Sequence, residues 1–114
     1  MQGMVSHVAA VTMNSSEPAR TAAFWAACLD GTVADGGNGF LHVTSAGVLV
    51  IVQPAPGRVA DRETDVHLDL RAPDRDDEVA RLAALGARVV EERADSHGRW
   101  TVLLDPDGRQ FCVS

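Results

Sequence analysis

Each half of this sequence contains a pair of side chains that could take part in metal chemistry, and the two pairs have nearly the same separation. Gln53 follows His7 by 46 residues, and Cys112 follows His67 by 45. Imidazole and thiolate groups are good ligands for zinc and late first-row transition metals, whereas a neutral amide is a poor one. An ion held by two histidines and a cysteine, with one position open to water, could polarise a substrate oxygen or lower the pKa of that water. The spacing therefore indicates a candidate metal centre formed by His7, His67 and Cys112.

These residues fall in segments that are predicted to be β-strands, so strand alternation decides which side chains share a face. Residues 65–71 alternate cleanly between apolar and polar side chains, which is typical of a half-buried strand. The polar side chains of that strand are expected to face a cleft, and the same alternation is applied to the strands near 5–13, 47–53 and 109–113. The residues then predicted to face the cleft include His7, Met13, Gln53, His67, Asp69, Arg71 and Cys112.

The elements that must position these side chains occur twice in the same order, namely one strand, one helix and three strands. The first helix follows Pro18 and ends at Asp30-Gly31, and the second is capped by Asp74 and ends at Gly86. The predicted organisation is a single domain of residues 1–114, with module one at 5–53, a Pro/Gly linker at 54–64 and module two at 65–114. The strands are expected near 5–13, 32–35, 39–45 and 47–53, and near 65–71, 87–93, 99–104 and 109–113. The simplest fold is α+β, with two βαβββ modules that form a shared cleft.

Composition and charge exclude several classes of function. The chain has 114 residues, 46% of them apolar, and a formal net charge of −6, with arginine as its only basic residue type besides histidine. An acidic chain without a cluster of arginines is not expected to bind nucleic acid. No apolar run approaches the roughly 20 residues of a membrane-spanning helix, and the N-terminus does not resemble a secretory signal. We therefore expect a cytoplasmic protein that acts on a small molecule, without nucleic-acid or membrane partners.

Several short motifs carry a resemblance to a known family. They are Phe24-Trp25, the His67-Leu68-Asp69-Leu70 strand, Leu85-Gly86-Ala87, and Asp105-Pro106-Asp107-Gly108 followed by Phe111-Cys112-Val113. Together with the duplicated βαβββ pattern, they resemble the vicinal-oxygen-chelate superfamily. That superfamily includes glyoxalase I, fosfomycin-resistance thiol transferases, extradiol dioxygenases and bleomycin-resistance proteins, and the chain is most similar to its short glyoxalase-like domain proteins. The resemblance implies a homodimer.

The resemblance also assigns metal positions, and two of them depart from the family pattern. His7 and His67 match the histidines of the superfamily. Gln53 and Cys112 stand where metal-dependent members have carboxylates, which in glyoxalase I bind the metal and move a proton. The two departures argue against glyoxalase I activity, and Asp69 becomes the best candidate for an acid–base group.

Three functional hypotheses remain open from the sequence. The first is a domain that binds or sequesters a small molecule, of bleomycin-resistance type, with ligand contacts from Gln53, Arg71, Trp100 and Met13; the acidic chain would attract a cationic ligand. The second is a metal-dependent lyase, isomerase or dioxygenase that uses one zinc, nickel, manganese or iron ion. The third is a purely structural domain.

Each candidate residue also has a structural interpretation. Cys112 could be a small buried apolar residue, because free cysteines are among the most buried residue types. Asp69 and Arg71 could form a salt bridge with each other or across strands, and Trp100 could pack in the core. The segment 105–108 is expected to be a turn with no other role.

Overall fold

Each half of the chain folds into one helix and one four-stranded sheet, as the repeat predicts. The computed structural model describes residues 8–57, 67–96 and 98–114; His7 and most of the predicted linker lie outside the described residues. The first module comprises β1 (Val11–Ser15), α1 (Pro18–Leu29), β2 (Thr32–Gly37), β3 (Phe40–Ser45) and β4 (Val48–Pro54). The second comprises β5 (Leu68–Leu70), α2 (Arg75–Ala84), β6 (Arg88–Asp95), β7 (Gly98–Leu104) and β8 (Gln110–Val113). The predicted α+β fold of two βαβββ modules is confirmed.

The two sheets have the same strand order. It is β1-β4-β3-β2 in the first module and β5-β8-β7-β6 in the second. In each sheet the first and last strands of the module are parallel neighbours, and the other pairs are antiparallel. The first strand of a module therefore lies beside its last strand, which places distant parts of the sequence next to each other.

A single hydrophobic core joins the modules. The ring of Trp25 on α1 lies 5.1 Å from the ring of Phe111 on β8, and Phe24 lies 5.2 Å from Trp25. The buried Val52 of β4 belongs to the same core as Phe111 and Val113 of β8. Because adjacent residues of a strand point to opposite faces, one face of each sheet packs into this core and the other points away from it. We call the outward faces the open faces of the two sheets.

The ends of α2 follow the sequence prediction. The Asp74 side chain accepts a hydrogen bond from the backbone N–H of Asp77 (3.0 Å), as expected of an N-cap residue. Gly86 follows the helix with φ of +117°, a conformation that favours glycine. In the part of the chain that the structure describes, no helix has the length and apolar character needed to cross a membrane.

The first strand differs from its prediction. It begins at Val11 and includes Asn14 and Ser15, which were expected to form a loop. Ser15 stays in the strand because its buried hydroxyl group hydrogen-bonds the hydroxyl of Thr21 (2.9 Å). The expectation that Met13 faces the cleft is wrong. Its side chain is 6% exposed and lies in the core, in register with Val52.

The turn before β8 also does more than expected. Asp105 accepts hydrogen bonds from the indole N–H of Trp25 (3.1 Å) and from the Arg109 guanidinium (2.5 Å). Asp107 accepts from the Arg20 guanidinium (2.9 Å) and from the Thr21 hydroxyl. Both carboxylates are buried, so this turn is a polar joint between the second module and α1 of the first.

Candidate functional site: a cleft on the open face of the second sheet

The open face of the second sheet carries a cleft of about 450 Å³. Cys112 lies in register with Asp69 on one side and with Val102 on the other, so these three side chains share the face opposite Phe111 and Val113. All described residues that line the cleft belong to the second module. They are His67, Asp69, Leu70, Arg71, Arg93, Trp100, Val102, Gln110, Cys112 and Ser114.

Three potential metal ligands lie together at one side of the cleft. One ligand atom from each of His67, Asp69 and Cys112 lies within 4.8 Å of the other two. The Nε2 atom of His67 is 3.2 Å from Oδ1 of Asp69, so the imidazole and the carboxylate are direct partners. Of these three side chains, Cys112 is buried, whereas the other two are exposed. The structure thus joins two predicted metal ligands with the predicted acid–base group.

Burial raises the pKa of the Cys112 thiol, and the nearby Asp69 carboxylate raises that pKa further. Both effects disfavour the thiolate, because one removes it from water and the other places a second negative charge beside it. The thiol is therefore protonated at neutral pH, and a metal ion would have to displace this proton on binding.

The donor set fits a late first-row metal ion. Imidazole nitrogen, carboxylate oxygen and thiolate sulfur are the three ligand types of protein zinc sites. Ligand atoms on a tetrahedral zinc ion lie about 3.5 Å apart. His67 and Asp69 already have close to this spacing at 3.2 Å, and ligand atoms of all three residues lie within 4.8 Å of one another.

The remaining charged groups of the cleft are two arginines, one of which is paired with a carboxylate. The Nε and Nη2 atoms of Arg93 both donate to Oε1 of Glu91, at 3.1 and 2.6 Å. Arg71 is exposed, and within the described ranges it makes neither a hydrogen bond nor an ion pair with protein. The expected salt bridge between Asp69 and Arg71 is therefore not formed, because His67 is the partner of the carboxylate.

Other predicted site residues lie elsewhere or outside the described residues. Trp100 lines the cleft as predicted. Gln53 is half-buried on the first module, in register with Asn14, and does not line this cleft. The predicted role of His7 lies outside the described residues, and the roles assigned to the other residues remain predictions.

Arg93 also lines the cleft, although it was not among the predicted site residues. Arg93 is in register with Trp100 across the β6–β7 hairpin, and a hairpin alignment through residues 95–98 would have shown this. The register shifts between Val89 and Glu91, so alternation counted from the start of β6 assigns the wrong face.

Comparison with known proteins supports the architecture described above. Among solved structures, the chain is similar to the fosfomycin resistance protein FosX from Listeria monocytogenes, with a TM-score of 0.79, 20% identity and coverage of 96% of this chain and 93% of that one. It is also similar to a glyoxalase/bleomycin resistance protein/dioxygenase family enzyme from Burkholderia phytofirmans PsJN, with a TM-score of 0.73, 13% identity and coverage of 90% and 93%. An integron cassette protein from V. cholerae gives a TM-score of 0.65 at 16% identity, with 96% and 94% covered.

At these identities the structural matches show the fold alone. No sequence among curated proteins matches the chain. Residues 10–114 match the family described as a glyoxalase-like domain, which is nearly the whole chain. The chain therefore belongs to the glyoxalase-like domain family and has the vicinal-oxygen-chelate fold.

Proposed function

We propose that this chain binds a small organic molecule, such as an antibiotic or a metabolite, in the cleft of its second module. The observation that carries the proposal is the cleft itself, because about 450 Å³ is within the size range of small-molecule sites. Trp100 and Val102 supply apolar surface, while Arg71 and Gln110 supply polar groups at the same cleft. Such sites commonly combine an apolar lining with a few polar groups that orient the ligand.

A fragment screen on the full chain tests this proposal. Backbone and indole N–H signals are followed by NMR as fragments of different charge and shape are added. Binding is expected to shift the Trp100 indole signal and the signals of β8. The Trp100→Leu variant should weaken the binding of these hits about tenfold, since it removes an aromatic surface. Phe40→Leu makes the comparable change on the first module and is the matched control; equal weakening by both variants would contradict the proposed location.

A second candidate function is that of a metal-dependent lyase or dioxygenase. The close approach of His67, Asp69 and Cys112 favours it. A FosX structure from Listeria monocytogenes contains Mn(II). A metal ion bound by these three residues would supply Lewis-acid polarisation of a substrate oxygen. Within this proposal the chain uses His67 and Cys112 as ligands, with His7 as a further ligand, and the Asp69 carboxylate either binds the ion or accepts a substrate proton.

Metal analysis distinguishes the two candidates. The untagged protein is incubated separately with zinc, nickel, manganese and iron(II), passed through a desalting column and analysed for bound metal. The metal hypothesis predicts about one equivalent of one ion, lost in His67→Ala and retained in His42→Ala, which alters a histidine of the first module. Retention of no ion by the wild-type protein would contradict the metal-dependent enzyme and leave ligand binding as the function.

A homodimer is also part of this proposal. The open face of β4 presents the half-buried apolar side chains Leu49 and Ile51 beside Gln53, and a second copy could cover the cleft with this face. Sedimentation equilibrium should then give twice the 12.1 kDa mass of one chain. A mass of one chain at micromolar concentration would contradict the dimer.

We further propose a cytoplasmic location. Cys28 and Cys112 are both free thiols, and free thiols persist in reducing compartments. Fractionation of the native host, with detection by antibody, tests this assignment; recovery from an extracytoplasmic fraction would contradict it.

A further inference from the structure

The charged groups that line the second-module cleft favour a different ligand charge from the one that the net charge of the whole chain favours. The chain carries a formal net charge of −6, which by itself favours a cationic ligand. Among the described residues that line the cleft, however, each charged side chain except one contacts a partner side chain. Asp69 lies against His67, and Arg93 is held by Glu91 through two hydrogen bonds to one oxygen. Arg71 is the charged lining residue that has no protein partner within the ranges 8–57, 67–96 and 98–114.

The neutral polar groups of the cleft add further donors. Trp100 and Gln110 line the cleft, and within the described ranges neither the Trp100 indole N–H nor the Gln110 side-chain amide makes a hydrogen bond to protein. Trp25 differs from Trp100 in this respect, because its buried indole N–H donates a hydrogen bond to Asp105. Unpaired donors next to an unpaired guanidinium suit a ligand that brings acceptor oxygens and negative charge.

Apolar surface lies beside these donors. Val102 and Cys112 are buried in the sheet beneath the cleft, and the half-buried Trp100 is their neighbour on the same open face. A ligand that fills the cleft therefore needs an apolar body as well as an anionic group. Free inorganic anions would leave this surface in contact with water.

We propose that the ligand is an organic anion, whose carboxylate or similar group pairs with Arg71 and whose aromatic or aliphatic body packs on Trp100 and Val102. This inference rests on the proposed binding function and specifies its ligand class. An organic cation is the alternative that the overall charge favours, but the Asp69 carboxylate that would bind it already has His67 as its partner.

Matched triplets of probes test the inference on the full chain. The first triplet is phenylacetate, phenylacetamide and phenethylamine, which share one ring and differ in charge. The corresponding 1-naphthyl and cyclohexyl compounds form two further triplets. Dissociation constants are measured by NMR titration at pH 7.5 and low salt, with the Trp100 indole signal as the marker of the cleft. We expect the carboxylate of at least one triplet to bind about tenfold more tightly than its amide, as a charge-assisted hydrogen bond would produce.

Two arginine variants locate the source of that preference. Arg71→Gln should remove the preference for the carboxylate, because it keeps a hydrogen-bonding side chain but removes the charge. Arg99→Gln is the matched control, since Arg99 precedes Trp100 on β7 and so points to the opposite face of the strand. This control should keep the preference. Raising the salt concentration should reduce the preference in the wild-type protein, because mobile ions screen an exposed pair.

The outcomes separate this inference from the proposed function. Tighter binding of an amide or an amine at the cleft, or a preference for carboxylates that survives Arg71→Gln, would overturn the inference and leave the binding function intact. If none of the nine probes shifts the Trp100 signal at millimolar concentration, both the inference and the binding function of this cleft are contradicted.

Discussion

The two modules share one strand order and differ in the chemistry of their open faces. In the first sheet, Asn14 and Gln53 are register neighbours, and both are neutral amides. In the second sheet, the corresponding parallel pair of strands aligns Asp69 with Cys112, and His67 approaches both. The inward faces are far more alike, because both are built from buried apolar side chains. Packing therefore determines the fold through one face of each sheet, whereas the other face is available for chemistry.

The modules differ as well in the connection that leads to their last strand. In the first module, β3 ends at Ser45 and β4 begins at Val48, so the connection is Ala46-Gly47. In the second module, residues 105–109 form this connection, and its two buried aspartates bind side chains of α1. The longer turn therefore joins the modules, whereas the shorter one only reverses the chain.

The largest expected effect concerns the core that the modules share. Phe111→Ala should lower the free energy of unfolding by about 3–5 kcal/mol, because it leaves a cavity among packed aromatic rings. Since Phe111 contacts Trp25 and Phe24 of the other module, we expect one unfolding transition for the whole chain. Guanidinium denaturation followed by far-ultraviolet circular dichroism and by tryptophan fluorescence measures this. Two separate transitions in the wild-type protein would show that the modules unfold independently.

A smaller effect should follow from exchanging side chains between the open faces. Cys112→Gln gives the second sheet the amide of the first. Under the proposed metal-dependent function, this change should weaken zinc binding about 100-fold, since it removes one proposed ligand. The reverse change, Gln53→Cys, should not create a comparable site, because Asn14 is its neighbour in register. Competition with a zinc-sensitive dye measures both affinities. Equal zinc affinity in Cys112→Gln and the wild-type protein would contradict the proposed ligand set.

The inward faces explain why the fold could be predicted from the sequence. Alternation in residues 65–71 was enough to predict the face of Asp69, and the repeat of one strand, one helix and three strands was enough to predict the two modules. Residues 5–13 are mostly apolar, and the polar residues Ser6, His7 and Thr12 do not alternate regularly with them. The segment therefore has no clear alternation from which to assign Met13. Met13 was placed on the wrong face for that reason.

Long-range contacts of polar groups were not predictable in the same way. Asp107 lies in a sequence typical of a turn, and its partners Arg20 and Thr21 are 87 and 86 residues away. Turn propensity reports only local conformation. The cluster of His67, Asp69 and Cys112 was partly predictable from the sequence, because alternation places the three residues on one face. The distances among them depend on the pairing of β5 with β8.

The next prediction concerns the turn that joins the second module to α1. Asp107→Ala should lower the free energy of unfolding by about 2 kcal/mol, because it removes the acceptor of the buried Thr21 hydroxyl and of the Arg20 guanidinium. Asp35→Ala in the first module is the control, since Asp35 is exposed and accepts a hydrogen bond from the nearby Gly37 backbone (2.8 Å). Urea denaturation compares the two variants. A loss as large in Asp35→Ala would contradict the distinction between the joining turn and an ordinary one.

The smallest effect concerns the contact between the two helices. The Arg81 guanidinium on α2 donates to the backbone carbonyl groups of Ala27 and Cys28, both at 2.9 Å, at the C-terminal end of α1. A cation is favourable there because the unpaired carbonyl groups make that end negative. Arg81→Ala should therefore lower the free energy of unfolding by about 1 kcal/mol or less, given that the side chain is about half exposed. Arg81→Lys should keep part of this stabilisation, because it retains the charge but cannot donate to two carbonyl groups in the same geometry.

The same contact should depend on pH through Glu78. Hydrogen bonds from Arg81 lower the pKa of the Glu78 carboxyl below its ordinary value of 4.5. A lowered pKa in the folded state means that the stabilisation is present above the unfolded-state pKa and is lost as the pH falls through the folded-state value. The stability difference between the wild-type protein and Arg81→Ala should thus be larger at pH 7 than at pH 3, as measured by urea denaturation at both values. A difference that does not change with pH would assign the whole effect to the carbonyl groups of α1 and none to the ion pair within α2.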